Sequence, residues 1–304
     1  MLVPTLNELL ELRYQAGNIS FNTTRRTQAP LSGLYASVFR GQGMDFDEVR
    51  EYQAGDEVRN IDWRVTARMG KPYLKVYREE RERSVVLCVD TSPYMQFGTR
   101  HTFKFVQAAK IAALLGWSAQ GHGDRISGML FGQEKVKIFR PNRTKTAFSR
   151  FLRSLTELPT EQTVRPHALE QALLALTRST ATGALIFIIA DFHHTPIDEL
   201  RKSLDQLHQQ HEVVLITIDD PADYELPDVG NICLTHEKRK LTINTDSLQG
   251  RIHYYQHWQN TRQQLKLLAR RLIMDFFAIS TQDNPYQSLV QSLRQRFQQQ
   301  ITHR

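Results

Sequence analysis

The sequence predicts a doubly wound α/β fold, a mostly parallel sheet between two helical layers, with a small antiparallel β region ahead of it. Three observations carry that expectation. Ser84 to Val89, Ala184 to Ala190 and Val213 to Ile218 are continuous apolar runs of strand length, the pattern of strands buried on both faces. Segments with helical spacing lie between such runs, as parallel strands joined by crossover helices require. From about Phe21 to Glu82, by contrast, charged, aromatic and turn-forming residues are dense and no long helical period is sustained.

Taken in order, Leu2, Leu6, Leu9, Leu10 and Leu12 predict a short amphipathic helix laid on the rest of the protein. Gly41, Gly43, the Ala54-Gly55-Asp56 turn and Gly70-Lys71-Pro72 then punctuate strand-like runs such as Tyr73 to Tyr77. The domain boundary falls at the texture change after Arg83: residues 1–83 hold the N-terminal helix and β region, and residues 84–304 the α/β domain. Within the latter, Thr102 to Gln120 has helical spacing through Phe105, Ala109, Ala112, Ala113 and Trp117. Ile126 to Phe131 and Lys135 to Phe139 form a hairpin around Gly132-Gln133. Helices are expected over Thr144 to Leu158, His167 to Arg178, Ser247 to Ile273 and Pro285 to Gln300, with a last strand at Asp275 to Ile279. A Pro- and Gly-marked excursion occupies residues 219–250.

The composition, 40% hydrophobic and 23% charged over 304 residues, excludes wholesale disorder. Its formal charge of +7 invites a nucleic-acid reading until the surplus is located. Residues 85–191 hold 13 basic groups against 7 acidic ones, and the flanking segments are close to balanced. Inside that stretch Lys135, Lys137, Arg140, Arg143, Lys145, Arg150 and Arg153 follow one another with no acid between them. Lysines on an expected edge strand deter edge-to-edge pairing. The first five of these residues are a candidate partner-docking patch, and nucleic acid becomes the lesser alternative. Cys88 and Cys233 lie in apolar runs and are expected as buried free thiols. No segment is long and apolar enough for a membrane span, and the N-terminus lacks the pattern of a secretory signal. The expected compartment is the cytoplasm.

Searches for catalytic motifs return nothing: no phosphate loop, no dinucleotide fingerprint, no nucleophile elbow. The expectation is a protein that is not an enzyme. His253 and His257 sit one helical turn apart without the glutamate and third ligand of a zinc site, and read as polar positions on a long helix. The informative pattern is at strand ends, where α/β sheets place their functional loops. Asp90-Thr91-Ser92 follows the first buried strand and Asp191 the second, and the loop from Pro159 to Pro166, with Thr160 and Thr163, reaches the same edge. Carboxylate and hydroxyl oxygens from three loops suit a hard cation such as Mg²⁺, though Asp and Ser after a strand are also ordinary helix caps.

DTSPYM at Asp90 to Met95 resembles the DxSxS motif of von Willebrand factor A domains, and GDRISGMLF at Gly123 to Phe131 resembles their second strand. The block from Gly41 to Glu82, GQGMDFDEVREYQAGDEVRNIDWRVTARMGKPYLKVYREERE, closely resembles the signature of the bacterial family called domain of unknown function 58. The later Asp220-Pro221 pair and Glu225-Leu226-Pro227 with Gly230 also resemble that family. The resemblance implies a von Willebrand factor A-like sheet with a metal-ion-dependent adhesion site holding Mg²⁺ or Mn²⁺. Its ligands here would be Asp90, Ser92, Thr163 and Asp191. The second motif serine falls on Tyr94, whose longer side chain cannot place an oxygen where a serine would, so one direct ligand is lost. The family's company with MoxR-type AAA+ ATPases implies a protein partner of that kind and an adaptor or chaperone-like role.

The signature block has its own physical reading. Asp45, Asp47, Glu48 and Glu51 mix with Arg50, Arg59, Arg64 and Arg68, which favours Arg–carboxylate pairs holding strands in register. The rival reading makes Asp45, Asp47, Asp56 and Asp62 a metal-dependent hydrolase centre.

Overall fold

The computed structural model describes residues 3–19, 44–53, 56, 58–79, 83–157, 165–236 and 239–302. It divides into two compact units, Thr27–Glu82 and the combination of Met1–Arg26 with Arg83–Arg304. The N-terminal helices, α1 (Leu6–Glu11) and α2 (Arg13–Ala16), therefore group with the α/β unit and not with the β region that follows them in sequence. A capping box between Thr5 and Glu8 starts α1.

In the smaller unit, β1 (Met44–Glu51) pairs antiparallel with β2 (Tyr73–Glu79), and α3 (Trp63–Met69) lies between them in sequence. The Asp62 carboxylate caps α3, accepting from the backbone of Arg64 at 3.0 Å and of Val65 at 3.2 Å. Arg50 holds Asp56 with two parallel bonds of 2.8 and 2.6 Å, the bidentate pairing that the interleaved charges predict. Two of the four aspartates of the hydrolase reading are thereby engaged in caps and pairs. The Ala54-Gly55 turn lies outside the described residues.

The larger unit is built on β3 (Ser84–Asp90), α4 (Lys104–Gly121), β4 (Arg125–Phe131), β5 (Lys137–Asn142), α5 (Lys145–Ser154), α6 (Ala168–Ser179) and β6 (Leu185–Ala190). It continues through α7 (Ile197–Gln210), β7 (Glu212–Asp219), α8 (Pro221–Tyr224), the hairpin β8 (Asn231–His236) and β9 (Arg239–Asn244), α9 (Leu248–Arg271), β10 (Asp275–Ser280) and α10 (Pro285–Thr302). The six-stranded sheet runs β10-β7-β6-β3-β4-β5, with every pair parallel except β4–β5. This is the doubly wound order, and the fold class expected from the sequence stands.

The apolar runs are continuous because alternate residues serve two cores. Val85, Leu87 and Val89 of β3 pack with α4, α5 and α10, whereas Val86 and Cys88 pack with α6, α7 and α9. β6 divides the same way, Leu185, Phe187 and Ile189 against Ile186, Ile188 and Ala190. Fully burying each such side chain stabilises the fold by about 1.5–3 kcal/mol. α4 is buried nearly all round, because α1 and α2 cover a flank the sheet does not reach. The Trp117 indole donates to the Leu9 carbonyl at 2.8 Å, and the Ser118 hydroxyl to that of Ile19 at 2.6 Å. Those bonds and the burial of Leu9 explain why α1 leaves the β region.

Two further expectations change. Cys88 is buried, but Cys233 is exposed, because it sits on the two-stranded β8–β9 hairpin, outside the six-stranded sheet. α7 has no counterpart among the elements expected from sequence, although its buried Leu200, Leu204 and Leu207 have helical spacing.

Candidate functional site at the carboxyl edge of the sheet

The chain leaves β3 for β4 and β5 on one side, then returns to β6 on the other. The carboxyl ends of β3 and β6 therefore flank the topological switch point, where open α/β sheets bind their ligands. Asp90 ends β3 and Asp191 follows β6, and both are buried. They border a cleft of about 290 Å³ whose lining includes Ser92, Tyr94, His194 and Glu199.

The β3 loop is tightly held. The Asp90 carboxylate accepts from the Ser92 backbone at 2.7 Å, and the Thr91 hydroxyl donates to the Phe131 carbonyl at 2.7 Å. Gly132, at φ +95°, passes so close that a Cβ there would stand 2.6 Å from the Ser92 nitrogen and 2.8 Å from the Asp90 carboxylate. Only glycine combines that backbone angle with that approach. The Ser92 hydroxyl is buried beside the Asp90 carboxyl and favours its charged form. Burial pushes the Asp90 carboxyl up to about 7, and the nearby Asp191 charge adds to the effect.

Asp191 has the opposite environment. One oxygen accepts from the His193 backbone at 2.9 Å, and the other sits 2.7 Å from the ammonium of Lys104. Burial opposes its charge, but Lys104 and His194 outweigh that and hold the carboxyl below its ordinary value. Lys104, itself only 2% exposed, also lies 2.7 Å from Asp223 on α8. Burial works against its charge too, yet the Asp191 and Asp223 carboxylates raise its pKa overall.

Further carboxylates continue the edge. Arg262 of α9 pairs with Asp219 at the end of β7, and the hydroxyls of Thr99 and Thr281 each donate to Asp220 at 2.6 Å. On the outer side of the cleft, His167 lies 2.9 Å from Glu199 and 3.5 Å from Glu170, tying α6 to α7. The Tyr94 ring stacks on His194 at 3.7 Å, which directs it across the cleft mouth.

Of the expected site residues, the structure brings together Asp90, Ser92 and Asp191, with Tyr94 beside them. Thr163 and Thr160 lie outside the described residues. His257 approaches the site after all, its ring edge-on to His193 at 5.9 Å, and among the described residues no metal-ligating cluster includes it. Lys104, Asp219, Asp220, Asp223 and Arg262 were not singled out as site residues from sequence. Asp219 obeys the same strand-end rule as Asp90. Lys104 opens α4, where a cation meets the unfavourable end of the helix dipole, so its placement there was itself a signal.

Among the described residues, only part of the oxygen set expected for Mg²⁺ or Mn²⁺ faces the cleft without another partner. The buried Asp90 carboxyl and the Ser92 hydroxyl beside it suit such an ion, but Asp191 is engaged by an ammonium and the Tyr94 ring stacks on a histidine.

The predicted basic patch lies elsewhere. β5 is the antiparallel edge strand, and Lys137 pairs at 3.3 Å with Glu157 across exposed surface.

Fold and site together define a doubly wound α/β domain with a cleft at its switch point bordered by two buried carboxyl groups, joined in sequence to a small β unit. The chain belongs to the family described as "Protein of unknown function DUF58", whose profile matches residues 48–264. Uncharacterized proteins of Mycobacterium bovis and Mycobacterium tuberculosis are each 32% identical to it over 217 residues, 71% of this chain and 68% of theirs. Among solved structures it is similar to the conserved hypothetical protein BatB of Bacteroides thetaiotaomicron, at 12% identity and a TM-score of 0.46. That match covers 70% of this chain and 98% of the other. A von Willebrand factor type A structure from Catenulispora acidiphila matches at 12% identity and a TM-score of 0.40, over 70% of this chain and 42% of the other. Among the described residues, no helix is long and apolar enough to cross a membrane.

Proposed function

We propose that this protein is a non-enzymatic interaction module of the cytoplasm, an adaptor or chaperone-like partner of a MoxR-type AAA+ ATPase. It docks through the loops at the carboxyl edge of its sheet. The observation that carries this reading is the cleft at the switch point, where Asp90, Ser92 and Asp191 converge from two strand ends. The ATPase as partner rests on the resemblance of the Gly41 to Glu82 block and on nothing in the cleft itself.

The test is capture from the native cell with tagged parent protein and with Ser92→Tyr, which fills the cleft. The expected result is recovery of an AAA+ ATPase with the parent and its loss with the variant. Repeated capture without any AAA+ protein would remove the partner, and equal capture by both chains would move docking to another surface.

A further inference from the structure

We propose that the Lys104 ammonium is the resident cation of this edge, occupying Asp191 so that the cleft works without a divalent metal. The ammonium has three carboxylate oxygens within 2.8 Å, one from Asp191 and two from Asp223, which matches its three donors. Phe97 closes the fourth side, its ring centroid 5.6 Å away, and leaves the lysine inaccessible to water. Nothing about local folding asks for a lysine there. It is the first residue of α4, where the helix dipole disfavours a cation, and its neighbours Phe103 and Phe105 are apolar. Its charge is held in place by the carboxylates alone.

The consequence is electrostatic. A divalent ion at Asp90 and Ser92 would sit beside Asp191, within the field of a buried positive charge and without that carboxylate as a free ligand. With the ammonium in place the Asp191 oxygen it holds is not offered to a second cation, and removing the ammonium would free that carboxylate as a ligand. Lys104 also links two loops: Asp191 follows β6, and Asp223 belongs to the turn after β7. The pair of loops is thereby set in one arrangement before any partner arrives, as pre-organised recognition requires.

The inference deepens the docking reading, because it names what charges the docking edge. Its test uses no partner, so a failed capture and a failed titration are told apart. Mn²⁺ is titrated by calorimetry into the full chain, into Lys104→Met and into Lys104→Met/Asp90→Ala, with thermal unfolding followed in Mn²⁺ and in EDTA. The parent is expected to bind Mn²⁺ at least about tenfold more weakly than Lys104→Met, and the double variant to lose the gain. The parent's Tm is expected to be the same in Mn²⁺ and EDTA. Should Lys104→Met fold only when Mn²⁺ is present, the ion has replaced the ammonium and the proposal holds. Should that variant not fold at all, the parent decides: an Mn²⁺-dependent rise in its Tm that Asp90→Ala abolishes overturns the proposal, and no rise upholds it. Equal Mn²⁺ affinity in parent and Lys104→Met also overturns it.

Discussion

Asp90 and Asp191 occupy equivalent places, each at the carboxyl end of a central strand, one neighbour apart in the same sheet. Their chemistry is opposite. Asp90 has burial with no cation beside it and titrates near 7, whereas Asp191 has a buried ammonium at 2.7 Å and stays ionised. A strand end brings a carboxyl group to the edge, but whether it carries charge is decided by what packs against it from another element. Here that element is the first turn of α4, which reaches Asp191 and leaves Asp90 to the backbone N–H of Ser92.

The largest effect should come from removing the cation. Lys104→Met leaves the buried Asp191 and the half-buried Asp223 without a counter-charge and is expected to destabilise the fold by about 3–5 kcal/mol in EDTA, read from urea unfolding. A loss below about 1 kcal/mol would mean that the two aspartates do not depend on it.

Asp90→Asn tests the other side, with the opposite sign. The folded carboxyl titrates at about 7 against 3.8 for the unfolded one, so between those values the folded state holds the extra proton. Its contribution is therefore fully present below about pH 4 and is lost as pH rises through 7. Asn, which has no proton to lose, should stabilise the chain by about 2–4 kcal/mol at pH 8 and make little difference at pH 4. Chemical unfolding in EDTA at both pH values gives the comparison. A variant less stable than the parent at pH 8 would show that Asp90 is paired after all.

Gly132→Ala sharpens the geometric half of the contrast. It forces a Cβ against the Asp90 carboxylate at a positive φ, with an expected loss of about 1–3 kcal/mol and reshaping of the cleft. An unchanged Tm would mean that the loop moves freely. Least should come of Lys137→Ala on the basic edge strand. It breaks an exposed pair with Glu157, and the change in stability should stay within about 0.5 kcal/mol. Reduced partner capture by that variant would assign the basic patch a docking role that its stability effect does not reveal.

The central strands were legible from sequence because burial on both faces leaves no polar position in them, as in Leu185–Ala190. α9 and α10 were legible for the usual reason, a periodic apolar stripe. The helix at Ile197–Gln210 is marked in the sequence only by Leu200, Leu204 and Leu207, in a stretch otherwise dense in polar residues. The unit to which α1 belongs is not written in its own residues. Its leucines foretold a helix lying on something, but its partner is Trp117, more than a hundred residues away, and amphipathicity does not say which surface receives the apolar face. Of the site, Asp90, Ser92 and Asp191 followed from strand ends, while Lys104 did not, because its partners lie 87 and 119 positions further along the chain.

By itself, then, the sequence determined the sheet, its parallel strands and the oxygen atoms presented at its edge. These depend on local apolar pattern and on the rule that strand ends face one way. Only the tertiary structure decided which of those oxygens are free. The charge state of a buried group is set by neighbours from distant segments at a few ångströms, and no spacing along the chain encodes that distance.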